Sequence, residues 1–232
     1  MRAIILAAGM GTRLRPLTLT TPKALTVVNG KPMLETQVEY LQEIGIEEII
    51  VVTGYLAEKF DYLREKYGVT LIHNDKYDVY NNIYTMYLVR DYLQDVYVID
   101  GDNYLHRNFL LKNPKTSMYF SARKPDFKEE WMIRFDDNYK VTDIVVGDGD
   151  QEYILCGVSY WSEEDGKFIV EKLEEAVSGD NFKDYWWDNI VMDHIRDVNV
   201  YLQEIHPDDS YEIDSLADLE KVNKLLEARG RN

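Results

Sequence analysis

Short continuous apolar runs alternate with longer amphipathic stretches through the first half of the chain. A continuous apolar run that ends near a glycine or an aspartate is typical of a parallel strand buried on both faces. The predicted strands of this half are Ala3–Ala8, Ile49–Val52, Val69–Ile72 and Val96–Ile99. Between them, the spacing of apolar residues predicts helices around Leu34–Ile44, Glu58–Lys66 and Ile83–Leu93. This succession indicates a doubly wound α/β unit.

After about residue 115 the predicted strands are shorter and alternate more strictly between apolar and polar positions. They are Ser117–Ala122, Trp131–Phe135, Val141–Val146, Tyr153–Trp161 and Asn199–Glu204. Helices are predicted at Gly166–Val177, at Asp188–Arg196, and in a C-terminal stretch that carries Leu216, Leu219, Val222, Leu225 and Leu226 on one face. No linker or repeat interrupts this pattern, so we expect one domain over residues 1–232. Ligands are expected at the C-terminal ends of the strands.

Charge and composition narrow the range of partners. The formal net charge of −16 argues against binding to nucleic acid or to an anionic membrane, because both would be repelled. Residues 1–35 nevertheless hold five of the 26 cations and one of the 42 acids, which suggests a local anion site. One cysteine and four scattered histidines give neither an internal disulfide nor zinc-ligand spacing. The first apolar run is too short for membrane insertion, and a cytoplasmic location is expected.

The loop after the first strand carries the strongest functional signal. Gly9 and Gly11 permit a tight turn that brings backbone N–H groups close to phosphate oxygens. The loop matches neither a dinucleotide fingerprint nor a Walker A motif, because Leu14 stands where the third glycine would be and no Gly-Lys-Ser/Thr follows. Arg13 and Lys23, ten residues apart on an irregular stretch, are placed to bind different phosphates of one triphosphate.

The run LAAGMGTRLRPLT…TPKAL, within residues 6–25, resembles the signature of the sugar-phosphate nucleotidyltransferases and their cytidylyltransferase relatives. The resemblance implies an α/β fold, a Rossmann-like three-layer αβα sandwich with a mixed, mainly parallel sheet of the nucleotide-diphospho-sugar transferase type. It also implies that residues 1–232 form a single nucleotidyltransferase domain. Residues 1–115 would be the nucleotide-binding half, and residues 116–232 the acceptor-binding half with the C-terminal helix.

The same resemblance implies roles for individual residues. Arg13, Lys23, Asp102 and Asp214 would be catalytic, and Asp102 and Asp214 would hold Mg²⁺ through hard carboxylate oxygens. Asp100 either supports the metal or, as we expect, accepts a local hydrogen bond. The nucleotide-binding residues would be Leu6, Ala7, Ala8, Gly9, Gly11, Thr12, Arg13, Lys23, Gly54, Asn82 and Asp100.

Aromatic residues in the second half suggest the acceptor. A trimethylammonium group has no N–H to donate, so aromatic faces and a nearby carboxylate are the groups that recognise it. The predicted acceptor-binding residues are Tyr80, Trp131, Tyr185, Trp186, Trp187, Asp188 and Glu212. The runs Gly157–Trp161, Trp186–Asn189 and Tyr211–Asp214, with the short chain length, resemble the bacterial CTP:phosphocholine cytidylyltransferases. This resemblance implies CTP and phosphocholine as substrates and CDP-choline and pyrophosphate as products. A monomer or homodimer is expected, and the sequence does not decide between them.

Several alternatives stay open at this point. A sugar-1-phosphate, phosphoethanolamine or an aminophosphonate would be an acceptor for the same chemistry. The chain would also be compatible with a non-catalytic, regulatory nucleotide-binding subunit, although retention of all four catalytic residues argues against it. Tryptophans are most often core residues, and the preference for CTP rests on the resemblance alone.

Overall fold

The computed structural model describes residues 1–179 and 181–229. In chain order its strands are β1 (Arg2–Ala7), β2 (Val27–Val28), β3 (Lys31–Pro32), β4 (Ile49–Thr53), β5 (Thr70–His73), β6 (Val96–Asp100), β7 (Asn103–Leu105), β8 (Ser117–Lys124), β9 (Phe127–Phe135), β10 (Val141–Gly149), β11 (Glu152–Trp161), β12 (Val200–Glu204) and β13 (Ser210–Glu212). Its α-helices are α1 (Met33–Glu43), α2 (Tyr62–Tyr67), α3 (Asn82–Leu88), α4 (Glu163–Ser178), α5 (Trp187–Asp193) and α6 (Leu216–Arg229).

Nine of these strands form one mixed sheet around the buried strand β1. The order is β10-β9-β11-β6-β1-β4-β5, with β8 paired to β11 and β12 paired to β8. All nine strands run in the same direction except β10 and β11. The sheet crosses the predicted boundary near residue 115, because β11 pairs directly with β6. The predicted α/β fold with a mixed, mainly parallel sheet is confirmed.

The alternation of side chains along β1 defines three layers. Ala3, Ile5 and Ala7 pack with apolar residues of α1 and α2 on one face. Ile4 and Leu6 pack on the other face with residues of α3, α4 and α5. Both faces of the strand are therefore buried, as its continuous apolar run predicts. Helix α6 packs apart from these layers, through Val222 and Leu226 on a smaller cluster that includes Leu14.

Three predicted helices are shorter than the sequence suggests, and one of them, expected over Asp188–Arg196, spans Trp187–Asp193. The helix expected over Glu58–Lys66 is divided into a 3₁₀ turn, Ala57–Phe60, and α2. Phe60 and Leu63 are fully buried and three positions apart, a spacing that also fits 3₁₀ geometry. The helix expected over Ile83–Leu93 ends at Leu88, where the Arg90 guanidinium donates to the carbonyl of Tyr87 at 2.9 Å.

Two short strand pairs have no counterpart in the sequence prediction. They are β2 with β3 and β7 with β13. Strands of two or three residues are too short to show the period of two on which strand prediction depends. Among the described residues, no helix is long and apolar enough to cross a membrane.

Candidate active site

A cavity of about 840 Å³ opens at the carboxyl ends of β1 and β6. Most of the residues singled out in the sequence line it: Leu6, Ala8, Gly9, Gly11, Thr12, Arg13, Lys23, Tyr80, Asn82, Asp100, Asp102, Trp131, Trp186, Trp187, Asp188, Glu212 and Asp214. These residues come from both halves of the chain. The fold therefore joins the glycine loop, the carboxylates and the aromatic residues around one space.

Three of the predicted site residues do not line this cavity. The side chain of Ala7 belongs to the core, because β1 alternates and turns it toward α1. Gly54 lies behind Tyr77, and a Cβ at this glycine would come within 2.6 Å of the Tyr77 Cβ. Tyr185 is 42% exposed and outside the cavity lining. Gly54 therefore allows close packing of the cavity wall, and Tyr185 is not brought to the other aromatic residues.

The glycine loop leaves room for a ligand on one side and packs tightly on the other. A Cβ at Gly9 would meet no atom within 4 Å, so the backbone there faces open space. Gly11 has a φ of +56°, and a Cβ there would lie 2.9 Å from the Cβ of Lys23. The Thr18 hydroxyl donates to the Gly11 carbonyl at 2.8 Å and holds the turn. Gly11 thus lets the Lys23 segment pack directly against the loop.

Three carboxylates meet on the floor of the cavity. Asp102, Glu212 and Asp214 each offer an oxygen atom, and these atoms lie within 4.8 Å of one another. We call this group the carboxylate cluster. Glu212, predicted from the sequence to contact the acceptor, lies beside the two aspartates in the same cavity. Partial desolvation and the neighbouring carboxylates raise the pKa of Glu212.

Two cations contact the carboxylate cluster. The Lys23 Nζ lies 2.6 Å from Asp102 Oδ2 and 2.5 Å from Asp214 Oδ1. Burial alone would lower the pKa of Lys23, but the charges of Asp102 and Asp214 outweigh it and raise the pKa. Arg13 Nη2 lies 2.9 Å from Asp214 Oδ2. The cations of the glycine loop and the carboxylates are thus in direct contact.

The small sheet of β7 and β13 brings the two aspartates together. Glu212 pairs with Asn103 across these strands, and the Ile213 N–H donates to the Asp102 carbonyl at 3.1 Å. Beneath the turn that carries Asp102, the buried Gln37 amide donates to the carbonyls of Asp100 and Asn103 at 2.9 and 2.7 Å. Backbone hydrogen bonds therefore fix the position of Asp102 and, through β13, of Asp214.

Four aromatic residues also line the cavity, and we call Tyr80, Trp131, Trp186 and Trp187 the aromatic wall. Trp186 is 50% exposed, whereas Trp187 is only 2% exposed and makes an edge-to-face contact with Trp161. The Trp187 Nε1 has no hydrogen-bond partner among the described residues. Trp186 therefore presents an open face to a ligand, and Trp187 mainly supports the wall from the core.

Asp188 places a carboxylate beside the aromatic wall. Its Oδ1 accepts a hydrogen bond from the Tyr119 hydroxyl at 2.9 Å. Burial raises the pKa of Asp188 to about 7, and the Tyr119 hydrogen bond opposes this shift. Near neutral pH this carboxylate is therefore poised between its neutral and charged forms. A cation in the cavity would favour the charged form.

Comparison with known proteins agrees with this geometry. The model of the MobA-like NTP transferase domain matches residues 3–102. The choline-phosphate cytidylyltransferase of Streptococcus pneumoniae is 49% identical over 226 residues, which cover 97% of this chain and 98% of the relative. The chain belongs to the choline-phosphate cytidylyltransferase family.

Two further comparisons extend this result. A solved structure of the CTP:phosphocholine cytidylyltransferase from Streptococcus pneumoniae has a TM-score of 0.95 to this chain at 49% identity, and covers 97% of this chain and 98% of its own. A 2-aminoethylphosphonate cytidylyltransferase of Lancefieldella rimae is 36% identical over 94% of this chain and 89% of its own length. The choline-phosphate cytidylyltransferase family is therefore close to an enzyme with a different acceptor.

In this member of the choline-phosphate cytidylyltransferase family, the carboxylate cluster fits a divalent cation. Its donors are carboxylate oxygens, which hard divalent ions prefer. Lys23 and Arg13 already form ion pairs with Asp102 and Asp214, so positive charge next to these two carboxylates is favourable.

Sequence reasoning did not assign a role to Gly157, which lines the cavity beside Asp100. Gly157 has a φ of +61°, and a Cβ there would lie 2.0 Å from the Asn103 Nδ2 and 2.9 Å from Asp100 Oδ2. A glycine inside a strand is itself a signal of such close approach. Burial and the neighbouring Asp102 raise the pKa of Asp100 well above its usual range.

Proposed function

We propose that this chain transfers the cytidylyl group of CTP to phosphocholine. An oxygen of the phosphocholine phosphate attacks the α-phosphorus of CTP and forms a new P–O bond. The bond from the α-phosphorus to the oxygen that bridges to the β-phosphate breaks, and its electron pair leaves with pyrophosphate. The products are CDP-choline and pyrophosphate.

This reaction needs no general base. The second pKa of a phosphate monoester is about 6, so the attacking phosphate is mostly dianionic near neutral pH. The main barrier that the protein can lower is repulsion between the two anions, which requires positive charge and alignment. Lys23 and Arg13 lie on the floor of the cavity and supply this charge, with Lys23 toward the α-phosphate and the acceptor and Arg13 toward the leaving phosphates. The open backbone at Gly9 and Thr12 supplies N–H donors.

Mg²⁺ is the metal that we assign to the carboxylate cluster. Asp102 and Asp214 would hold it, with Glu212 as a third carboxylate within reach. When bound, the ion would supply positive charge against the phosphate oxygens. Lys23 and Arg13, which contact these aspartates, are the two cations that would bind the phosphates of CTP.

The aromatic wall supports phosphocholine as the acceptor. An aromatic face attracts a quaternary ammonium with about 0.5–2 kcal/mol, and a neighbouring carboxylate adds charge attraction. Trp131 and Trp186 provide faces on the cavity, and Asp188 provides the carboxylate. A sugar phosphate would instead require hydrogen bonds to each of its hydroxyls, whereas Trp131 and Trp186 offer mainly aromatic surface.

The observation that carries the proposal is the meeting of the carboxylate cluster and the aromatic wall in one cavity. The test is pyrophosphate release with Mg²⁺ and CTP, with phosphocholine, phosphoethanolamine, 2-aminoethylphosphonate and glucose-1-phosphate assayed in parallel. We expect phosphocholine to react fastest, by about tenfold, or about 1.4 kcal/mol of transition-state binding. Faster reaction with glucose-1-phosphate would contradict the proposed acceptor and assign the tryptophans to the core.

One second candidate has specific support. The 36% identity to a 2-aminoethylphosphonate cytidylyltransferase makes a primary ammonium a plausible acceptor group, because it also binds carboxylates and aromatic faces. A quaternary ammonium is bound by aromatic faces and a nearby negative charge alone, whereas a primary ammonium also needs hydrogen-bond acceptors for its N–H groups. The half-exposed indole of Trp186 favours the quaternary group.

Three further expectations remain predictions. They are the division of the single domain into a nucleotide-binding half and an acceptor-binding half, the cytoplasmic location, and a monomer or homodimer in solution.

A further inference from the structure

The start of α3 is hydrogen-bonded to the segment Lys183–Trp187, which leads into α5 and carries Trp186. The N–H of Asn81 donates to the Lys183 carbonyl at 2.9 Å, and its side-chain amide donates to the Asp184 carbonyl at 3.2 Å. These bonds connect two stretches of chain about one hundred positions apart. One stretch follows β5, and the other precedes Asp188.

Asn82 makes the shortest of these bonds. Its Oδ1 accepts from the Trp187 N–H at 2.7 Å. Trp187 is the first residue of α5, and the N–H groups of a first helical turn have no intrahelical acceptor. The Asn82 side chain therefore satisfies an N–H that the helix cannot satisfy itself, at the residue between Trp186 and Asp188.

Ring packing joins the same two stretches. Tyr80 stacks on Phe182 with ring centroids 4.8 Å apart. Tyr80, Asn82, Trp186 and Asp188 all line the cavity, so the contact forms part of its wall. The Lys183–Trp186 stretch contains no regular secondary structure, and it is held both by hydrogen bonds to the start of α3 and by the hydrogen bond from the Trp186 N–H to Asn189 Oδ1 at 2.8 Å.

We propose that Asn82 is a positioning residue for the acceptor: it holds Trp187 and thereby sets the places of Trp186 and Asp188. This inference rests on the proposed function for the identity of the acceptor. It differs from the sequence-based expectation that Asn82 binds the nucleotide. Asn82 acts through the backbone of Trp187 and not through contact with phosphocholine.

Two variants separate these roles. Asn82→Ala removes the side-chain oxygen that accepts the hydrogen bond from Trp187. Asn82→Asp retains such an oxygen, and its negative charge is favourable in the first turn of α3. For Asn82→Ala we expect the KM for phosphocholine to rise about tenfold, the upper range for loss of one hydrogen bond. The KM for CTP should stay within about twofold, and Asn82→Asp should restore most of the phosphocholine KM. Asn138→Ala, at an exposed turn outside the cavity lining, is the matched control.

Amide hydrogen exchange at Trp187, followed by NMR in the full chain, tests the hydrogen bond between Trp187 and Asn82 in the absence of phosphocholine. Exchange should be faster in Asn82→Ala and remain slow in Asn82→Asp. Unchanged exchange in Asn82→Ala would overturn the inference, as would a higher KM for CTP with an unaltered KM for phosphocholine. If the wild-type chain uses another substrate in place of phosphocholine, the proposed function fails. The positioning role would still be supported if Asn82→Ala showed faster exchange at Trp187 and a higher KM for that other substrate.

Discussion

At the scale of single residues, Lys23 bridges two carboxylates that a metal would otherwise hold. Replacing it with methionine leaves the carboxylate cluster with less positive charge. We expect kcat/KM to fall by about 10²–10³, the usual loss when one charge-stabilising group is removed. We also expect Mg²⁺ without CTP to raise the Tm of Lys23→Met more than that of the wild type, because the carboxylates are free to bind it.

Lys31→Met is the matched control, because Lys31 pairs with Glu39 outside the cavity lining. Thermal denaturation with and without MgCl₂ measures the effect. Equal Mg²⁺ shifts in Lys23→Met and the wild type would contradict the metal assignment.

Asp188 gives a prediction about pH. Because burial raises its pKa to about 7, Asp188 gains a proton as the pH falls from 8 to 6 and loses its attraction for a cation. The KM for phosphocholine should therefore rise over this range. The phosphate of phosphocholine also titrates, with a pKa of about 6. The pH profile of the wild type is therefore compared with that of Asp188→Asn, because the titration of phosphocholine contributes equally to both. The variant should show a flatter profile with a higher KM at pH 8. Parallel profiles would show that Asp188 does not contact the cation.

Trp186 and its neighbour Tyr185 provide a matched pair. Both side chains are exposed, at 50% and 42%, but only Trp186 lines the cavity. Trp186→Ala should raise the KM for phosphocholine by about tenfold, since one cation–π contact contributes about 0.5–2 kcal/mol. Tyr185→Ala should leave it unchanged. Steady-state kinetics at saturating CTP measure both, and equal effects would remove Trp186 from the acceptor site.

At the scale of elements, the turn between β6 and β7 depends on α1. The buried Gln37 amide donates to two carbonyls of this turn, and its own Oε1 has no partner among the described residues. Gln37→Leu should lower the free energy of unfolding by about 1–3 kcal/mol and raise the Mg²⁺ concentration for half-maximal rate. Gln42→Leu, on the exposed face of the same helix, should change stability by less than about 0.5 kcal/mol. An unaltered Mg²⁺ requirement in Gln37→Leu would show that the turn keeps Asp102 in place without this amide.

The sequence predicts the long elements well and the short ones poorly. The buried run of β1 and the amphipathic pattern of α1 each extend over several repeats of their period, so the positions of both elements follow from the local sequence. The pairing of β7 with β13 is a tertiary contact between distant segments, and neither strand has a recognisable period. The same limit applies to side chains: the nearness of Asp102 and Asp214 follows from family resemblance, and the placement of Glu212 follows only from the fold.

The sequence does not show which aromatic side chains are buried and which are exposed to the cavity. Trp186 and Trp187 are adjacent and chemically identical, yet the start of α5 turns one toward the cavity and the other into the core. Likewise, the sequence does not show that Asn82 Oδ1 accepts a hydrogen bond from the Trp187 N–H. Side-chain direction at a helix start depends on packing, which one sequence does not display.

At the scale of the whole molecule, a strongly acidic chain binds an anionic nucleotide because its cations are concentrated. The net charge is −16, while Arg13 and Lys23 lie together on the floor of the cavity. The acidic remainder of the chain disfavours binding to other polyanions. In the proposed function, the aromatic wall would bind the cationic end of phosphocholine and the cations of the glycine loop would bind its phosphate.

The most direct test of this account is a competition between acceptors in one reaction. CTP and Mg²⁺ are supplied with equal concentrations of phosphocholine and 2-aminoethylphosphonate, and the two cytidylyl products are quantified by mass spectrometry at low conversion. Their ratio equals the ratio of kcat/KM for the two acceptors. We predict CDP-choline in at least about tenfold excess, with one pyrophosphate released per product formed. An excess of the phosphonate product would contradict the assignment of the aromatic wall to a quaternary ammonium.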